Sequence, residues 1–226
     1  MRSEFRKILF VTSAAMVLAF TAPADTLFDN STTDLNYRLN PGAQQVGDQI
    51  KLLSSGYLTN FEFEYYGTNT ANPANTTFAG TVQAQVSIYL MDGPLFNGYA
   101  TPGKQIYFSS WFTINPTSRA TLVYTAGIDF APGGLLIPST DITWAVQFRG
   151  MGATDTVGVD VYSAPTVGQD FPDYWRNTGS GWVLETNAVP VDFAAKFQGT
   201  IPEPSVVSLA IVGGVVMMIA GRKRKV

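Results

Sequence analysis

Two glutamates that lie two residues apart are the best placed residues of this sequence for acid–base chemistry. Glu62 and Glu64 alternate with aromatic residues, so both carboxyl groups point to the same side of one predicted strand. That spacing separates the carboxyls by roughly 6–7 Å, near the range of about 6.5–9.5 Å found in inverting glycoside hydrolases. Tyr66 follows, and sugar sites use aromatic residues. Two carboxylates on the solvated side of a strand are also commonplace, and we favour that interpretation over catalysis.

A second stretch matches most of a phosphate-binding loop. It is GYATPGKQ, residues 98–105. The match fails at Gln105, where Ser or Thr must reach magnesium, and no strand–loop–helix pattern surrounds the stretch. We therefore expect a connection between strands that contains glycine and proline.

Oxygen ligands for calcium are available in two groups, which are Asp160, Asp170 and Asp173, and Asp25, Asp29, Asn30 and Asp34. Neither group has the spacing of an EF-hand, and loop aspartates more often stabilise turns. We expect no cofactor, with a structural calcium ion as the alternative.

The chain has no Cys and no His. Thiol chemistry, zinc sites built on these residues and any triad that needs His are thereby excluded.

Aromatic residues outside the main apolar faces are candidates for contacts with sugar rings: Tyr66, Tyr89, Tyr99 and Tyr174. Packing at the rim of an aromatic-rich core is the competing explanation, and we favour it. Other aromatic residues lie on apolar faces and are expected in the core: Trp144, Phe148, Phe193 and Phe197.

The elements that carry these residues are predicted to be β-strands. Apolar and polar residues alternate with a period of two in five segments: 61–65, 81–91, 141–149, 157–161 and 191–198. Weaker strands are expected in four more: 46–53, 105–114, 119–124 and 181–185. In the segment 191–198, Asp192 is expected on the face opposite the core. Turn sequences such as Asn40-Pro41-Gly42 and Asn97-Gly98 separate the strands.

This pattern predicts an all-β fold. About nine short strands without intervening helices favour a single antiparallel β-sandwich. A jelly-roll type is our first choice and an immunoglobulin-like sandwich the alternative, because the sequence pattern does not separate these topologies. We place the domain at residues 25–200.

The N-terminal segment, residues 1–24, is predicted to be a secretory signal peptide. Arg2, Arg6 and Lys7 precede the 13-residue apolar stretch 8–20, which is too short to span a membrane. Ala22 and Ala24 stand at the two positions that a signal peptidase recognises, so we expect cleavage after Ala24.

The C-terminal segment, residues 201–226, has three parts in order. Pro202, Glu203 and Pro204 form an extended break, and the 17 uncharged residues 205–221 form a membrane span. A basic cluster follows the span and favours the cytoplasmic side, so we expect the N-terminal side of the span outside the cell: Arg222, Lys223, Arg224 and Lys225. Hydropathy alone fits a plain membrane anchor equally well. The segment resembles the PEP-CTERM sorting signal of bacterial exported proteins. That resemblance implies recognition and cleavage by the membrane enzyme exosortase, with transfer of the domain to the cell surface or extracellular matrix.

A second resemblance concerns the end of the domain. Asp173-Tyr174-Trp175, Gly181-Trp182-Val183-Leu184 and the run 192–197 (DFAAKF) are similar to the last strands of jelly-roll domains often carried by PEP-CTERM proteins. Such domains mostly have no assigned activity, so this likeness bears on the fold more than on the function.

Charge narrows the expected partners. The whole chain has a formal net charge of −3, but residues 25–200 hold 7 Lys and Arg against 15 Asp and Glu, a net charge of −8. An acidic domain argues against binding of nucleic acid.

We expect a non-enzymatic surface or matrix protein with a structural or adhesive role. The alternatives are a module that binds exopolysaccharide and, more distantly, a glycoside hydrolase. Signal peptidase and exosortase are the expected processing enzymes, and the membrane is a transient partner of the tail.

Overall fold

The computed structural model describes residues 24–74, 76–187 and 189–201. The signal peptide up to Pro23, including Ala22, and the sorting signal from Pro202 onward lie outside the described residues. Within the described ranges all regular secondary structure is β, and no helix there is long and apolar enough to cross a bilayer.

Seventeen strand segments follow one another along the described chain. They are β1 (Asp25–Asp29), β2 (Asp34–Leu39), β3 (Gln45–Lys51), β4 (Gly56–Asn69), β5 (Gln83–Leu90), β6 (Leu95–Phe96), β7 (Tyr99–Ala100), β8 (Gln105–Phe108), β9 (Phe112–Thr113), β10 (Thr117–Thr125), β11 (Leu135–Ile137), β12 (Asp141–Arg149), β13 (Asp155–Tyr162), β14 (Gln169–Asn177), β15 (Trp182–Glu185), β16 (Asp192–Phe193) and β17 (Ala195–Thr200).

The segments form two large antiparallel sheets and one small hairpin. The eight-stranded sheet has the order β1-β17-β4-β13-β16, with β10 and β11 also on β4 and β2 also on β13. The seven-stranded sheet has the order β15-β14-β3-β12-β5-β8, with β9 also on β5. The hairpin joins β6 and β7 through Asn97 and Gly98, which both have positive φ as a tight primed turn requires. The prediction of an all-β, antiparallel fold is confirmed, and the arrangement is consistent with a β-sandwich.

A single core lies between the two large sheets. The ring of Trp144 on β12 lies 5.4 Å from that of Phe61 and 5.5 Å from that of Phe63, both on β4 of the other sheet. Trp144, Phe148, Phe193 and Phe197 are all fully buried, as their sequence pattern predicts. Burial of side chains on this scale is the main stabilising contribution to such a fold.

Several details differ from the sequence prediction. The predicted strand 105–114 is two short segments, β8 and β9, separated around Ser109–Trp111. Asp192 is buried, with 3 % of its surface exposed, although the period-two pattern placed it on the solvent side. The reason is a break in the alternation at Ala194. There the chain leaves β16, which pairs with β13, and enters β17, which pairs with β4, and the side chains of Phe193 and Ala195 are both buried. Alternation predicted none of β1, β2, β6, β7, β11 and β14, although the resemblance to jelly-roll domains placed residues 173–175 of β14 in one of the last strands.

Candidate functional site

Glu62 and Glu64 lie on the outer side of β4, as their alternation predicts. The hydroxyl of Tyr162 donates to Glu64 Oε2 at 2.5 Å, and Arg119 Nε lies 3.6 Å from the same oxygen. Glu62 Oε1 accepts a hydrogen bond from Asn60 at 2.7 Å. Both glutamates border a depression of about 50 Å³, far smaller than the roughly 300–1,000 Å³ of ordinary ligand sites. The geometry therefore offers no enclosed site for a glycosidic bond around these two carboxylates.

A buried ion pair lies beside them on the same sheet. Asp160 on β13 is fully buried, and its Oδ1 lies 2.6 Å from Arg38 Nε on β2. Arg38 also binds both carboxylate oxygens of Asp34, at 2.8 and 2.9 Å. Burial raises the pKa of Asp160 to about 6, and the charge of Arg38 opposes that rise. This pair holds β2 against β13 rather than facing a cavity.

The four candidate sugar-contacting tyrosines are dispersed over the fold. Tyr66 lies on the outer side of the eight-stranded sheet, whereas Tyr89 lies on the outer side of the seven-stranded sheet with its ring edge-on to Trp182 at 5.3 Å. Tyr99 sits on the small hairpin against Phe171. Tyr174 packs on the core through Phe193. They do not form one stacking row.

The two candidate calcium groups are likewise separated. Asp160 pairs with Arg38, and Asp173 accepts a backbone hydrogen bond from Asn187, so neither joins Asp170. In the second group Asp29 pairs with Lys196 and Asp34 pairs with Arg38. Among the residues that the structure describes, no three acidic side chains converge closely enough to hold a metal ion. A structural calcium ion stays the alternative to the expected absence of a cofactor.

The phosphate-loop-like stretch forms strand connections. Gly98 belongs to the hairpin turn, β7 follows at once, and residues 101–104 lead into β8 without a helix. Asp92 Oδ1 accepts the backbone N–H of Lys104 at 2.7 Å, which ties this connection to the preceding turn. This agrees with the expected glycine- and proline-containing connection.

A larger cleft opens along the edge where the two sheets meet. We call it the edge cleft. It lies between β8 and β9 on one side and β10 with the turn after it on the other, and its volume is about 430 Å³, within the range of ligand sites. The residues that line it are Tyr107, Phe108, Ser109, Ser110, Phe112, Leu122, Val123, Tyr124, Ile128 and Asp129.

The lining of the edge cleft combines aromatic rings with polar groups. The rings of Tyr107 and Phe112 meet Tyr124 edge-on at 6.4 and 6.1 Å, which fixes their positions. Phe108 is 64 % exposed at the rim. Burial, with a smaller contribution from the charge of Asp129, raises the pKa of Tyr107 to about 12, so its phenol stays neutral and able to donate a hydrogen bond. An aromatic platform with hydroxyl and carboxylate groups beside it can hold a polar ring compound.

A second polar site is mostly buried, with Asp48 and Asp192 inside the fold and Asp170 partly exposed. We call it the carboxyl cluster, and it consists of Asp48, Asp170 and Asp192 with Asn30 beside them. Asp48 on β3 faces the core, is fully buried, and accepts the backbone N–H of Phe193 through Oδ2 at 2.7 Å. Since Phe193 belongs to the other sheet, this bond crosses between the sheets. Oδ1 of Asp48 and Oδ1 of Asp192 are buried without a hydrogen-bond partner among protein donors.

Asn30 completes the carboxyl cluster. Its Nδ2 donates to Phe193 O at 2.7 Å and lies 3.4 Å from Asp170 Oδ2, while its Oδ1 accepts the backbone N–H of Ala195 at 2.7 Å. Burial raises the pKa of Asp48 and of Asp170. The charges of Asp170 and Asp192 raise the pKa of Asp48 further, and the charge of Asp192 raises that of Asp170. Burial also raises the pKa of Asp192 to about 6. These groups therefore favour their protonated forms relative to exposed aspartates.

Asp170 and Asn30 were predicted as possible calcium ligands but in different groups, whereas Asp48, Asp192 and the edge cleft were not predicted as sites. A signal for Asp48 exists in the sequence, because Val46, Asp48 and Ile50 share one face of a predicted strand and the aspartate interrupts an apolar face. The edge cleft has no such signal, since it is assembled from the ends of strands that belong to different sheets.

Comparisons of the chain with protein-family models, with curated proteins and with solved structures found no match. The resemblance to PEP-CTERM proteins stays a prediction from residues 173–226, of which 188 and 202–226 lie outside the described part of the chain.

Proposed function

We propose that this chain is an exported bacterial protein of the cell surface or extracellular matrix, sorted and cleaved by an exosortase at its C-terminal signal. The observation that carries the proposal is the order of Pro202-Glu203-Pro204, the apolar span and the basic cluster in residues 201–226. Its domain has a non-enzymatic structural or adhesive role. The net charge of −8 over residues 25–200 accords with a soluble extracellular domain that does not bind nucleic acid.

The position of the domain boundaries supports this proposal. Asp25, the first residue after the predicted signal-peptidase site, pairs with Gly199 near the end of β17. The exposed residues Ala24 and Ile201 therefore flank the same strand pair. Every strand pair among the described residues lies within 25–200, so cleavage after Ala24 and near Pro202 removes none of these ladders.

Strand pairing favours the jelly-roll type of sandwich for this domain. Four antiparallel pairs are nested along the chain: β1 with β17, β3 with β14, β4 with β13, and β5 with β12. Nested pairing results when one long two-stranded ribbon wraps around a core, as in jelly rolls. An immunoglobulin-like sandwich, the alternative, instead places strands that are consecutive in sequence next to each other in both sheets.

Mass spectrometry of the mature protein from its native host tests the sorting proposal. We expect an N-terminus at Asp25 and a C-terminus between Pro202 and Ser205. A matched variant in which the four cations 222–225 are replaced by Gln should accumulate with an uncut tail, because the basic cluster orients the span. An intact Val226 in the wild-type mature protein would refute the proposal.

Binding of exopolysaccharide is the second candidate function, and the edge cleft is the observation that favours it. The cleft has the volume of a ligand site, presents the exposed ring of Phe108, and places Ser110 and Asp129 beside it. Sugar rings have apolar faces and hydroxyl edges, so such a lining complements both. The acidic side chain of Asp129 disfavours an acidic polysaccharide here.

Retention on immobilised neutral polysaccharides tests this second candidate. Residues 25–200 suffice for the assay because they hold both sheets and the shared core. We expect Phe108→Ala to weaken retention roughly five- to tenfold, the equivalent of about 1–1.4 kcal/mol for one aromatic contact. Tyr57→Ala removes an exposed aromatic residue outside the cleft and serves as the control. Equal retention of both variants, or no retention of the wild type, would exclude the edge cleft as a polysaccharide site.

A further inference from the structure

The two ends of the sandwich differ in their exposed side chains. β17 ends at Thr200, and we call this end of the fold the exit end. The opposite end consists of five connections between strands: 40–44, 70–82, 114–116, 150–154 and 178–181. Among the described residues, none of the exposed large apolar side chains belongs to these connections. Four belong to the exit end, and we call them the exit patch: Leu53, Tyr57, Leu136 and Ile201.

The strand ladders fix the position of the exit patch. Tyr57 on β4 pairs with Leu136 on β11 and with Thr200 on β17, so these three side chains form one row on the outer surface of the eight-stranded sheet. Ile201 follows this row at once. Leu53 lies in the connection from β3 to β4, and its N–H donates to the backbone of β1 at 2.9 Å. The patch therefore borders the point at which the chain leaves the domain.

A short stretch separates the exit patch from the predicted membrane span. The span begins at Ser205, so three residues, 202–204, stand between it and Ile201. Even a fully extended chain covers no more than about 14 Å from Ile201 to Ser205. The headgroup layer of a bilayer is itself roughly 5–8 Å thick on each side of the hydrocarbon core. In a chain that keeps this span in the membrane, the exit end therefore lies within reach of the bilayer surface.

We propose that the exit patch rests on the surface of the lipid bilayer while the chain is still attached to its C-terminal span. This docking presupposes the export and the span of the proposed function. Tyrosine is enriched at membrane–water interfaces, and leucine and isoleucine leave water when they enter the boundary between headgroups and acyl chains. The polar end of the sandwich then points away from the membrane, and the break at Pro202, Glu203 and Pro204 is kept beside the bilayer, where a membrane enzyme reaches it.

The charges around the exit patch favour an apolar contact over an electrostatic one. Lys51 at the end of β3 pairs in the ladder with Asp141, and the exposed Asp25 opens β1 at the same end. Anionic lipids attract clusters of four to eight cations, roughly, and residues 25–200 have a net charge of −8. We therefore expect the patch to dock on neutral lipid, with little dependence on salt.

The exit patch and the span act together. A patch of four side chains holds a domain only weakly on a bilayer, whereas a covalent span keeps the patch at a high local concentration beside the lipid. Cleavage between Pro202 and Ser205 removes that advantage, so the domain leaves the membrane once it is cut.

Single fluorescent labels test the docking, because the chain has no Cys of its own. The full chain with Leu136→Cys is labelled, produced without exosortase, and reconstituted in nanodiscs of phosphatidylcholine. We expect its label to lose quenching by iodide in the water and to gain quenching by nitroxide-bearing lipids. Leu35→Cys is the matched control, since Leu35 is 43 % exposed against 53 % for Leu136 but lies on β2 at a side edge. Its label should stay quenched by iodide.

A second set of variants separates docking from proximity to the tether. Here the label is at Leu53→Cys, and Tyr57→Ser is combined with Leu136→Ser. Quenching of this label by nitroxide-bearing lipids should fall in the double serine variant, because the apolar contact is lost. Leu35→Ser combined with Val189→Ser is the control and should leave the quenching unchanged. All four replaced side chains are exposed, and circular dichroism checks that each variant is folded.

Several outcomes overturn the proposal. Equal quenching of the labels at positions 136 and 35 would show that the domain turns freely on its tether, and unchanged quenching at position 53 in the double serine variant would show that the tether alone sets its position. Loss of iodide quenching at position 136 without a gain from nitroxide-bearing lipids would show contact with a second copy instead. A chain that does not co-elute with the nanodiscs would refute the predicted span itself, and this failure is seen before any label is measured.

Discussion

Two buried tryptophans test how much an unpaired indole N–H group destabilises this core. Trp144 and Trp175 are both fully buried, but they differ in one hydrogen bond. Nε1 of Trp175 donates to Gln49 Oε1 at 3.1 Å, whereas Nε1 of Trp144 is buried without a partner. We expect Trp175→Phe to destabilise the domain more than Trp144→Phe, although the chemical change is the same.

The expected difference combines two hydrogen-bond effects and one packing effect. Trp144→Phe removes a buried, unpaired N–H group whose desolvation costs about 1–3 kcal/mol, while Trp175→Phe loses a hydrogen bond worth about 0.5–1.5 kcal/mol. Trp144 has more aromatic neighbours, with ring contacts to Phe61, Phe63 and Phe193, and weakening them costs about 1 kcal/mol in the opposite direction. The net difference is about 2 kcal/mol, with Trp144→Phe the more stable variant.

Urea unfolding followed by far-ultraviolet circular dichroism measures this difference, because that signal does not depend on tryptophan fluorescence. For a domain of this size the difference corresponds to roughly 4–8 °C in Tm. Equal m-values are needed for the comparison. If Trp144→Phe proves as destabilising as Trp175→Phe, or more so, packing outweighs the unpaired N–H and the reasoning is refuted.

Two further substitutions test the contacts of β2. Gly158→Ala should lower the free energy of unfolding by about 3 kcal/mol and accelerate amide exchange in β2, because the new Cβ would lie 1.9 Å from the backbone oxygen of Leu39. Gly133→Ala is the control and should leave the stability unchanged, because the new Cβ would meet open space. Arg38→Met should lose more stability near pH 8 than near pH 5, as measured by urea unfolding, because Asp160, whose pKa is about 6, needs this cation only when ionised. An equal loss at both pH values would contradict the role assigned to the ion pair.

Strands with one clean apolar face could be predicted from the sequence. The segment 141–149 was predicted with the bounds that β12 has in the structure, because Ile142, Trp144, Val146 and Phe148 all face the core. β2 was missed because it pairs with β13 with mostly exposed side chains and has no apolar stripe. Alternation missed β14, which only the resemblance indicated at residues 173–175, because its pairing with β3 is irregular between Asp170 and Tyr174 and this interrupts any period of two.

The candidate sites were less accessible to prediction for a different reason. Period-two alternation gives the side of a sheet on which a residue lies, and this was correct for Glu62 and Glu64. It does not give which strands are neighbours, and the carboxyl cluster depends on β3, β14 and β16 meeting. The edge cleft depends in the same way on β8, β9 and β10 ending at one edge of the fold.

The position of β17 has a mechanical consequence. This strand leads directly to Ile201 and lies between β1 and β4, with hydrogen-bonded ladders on both sides. Tension applied through the C-terminal end therefore acts along β17 and shears two ladders at once, so that many hydrogen bonds must break together. An edge strand pulled from its end peels away one bond at a time. Removal of Asp25–Asp29 would turn β17 into such an edge strand, and the force that the domain withstands in a pulling experiment should fall sharply.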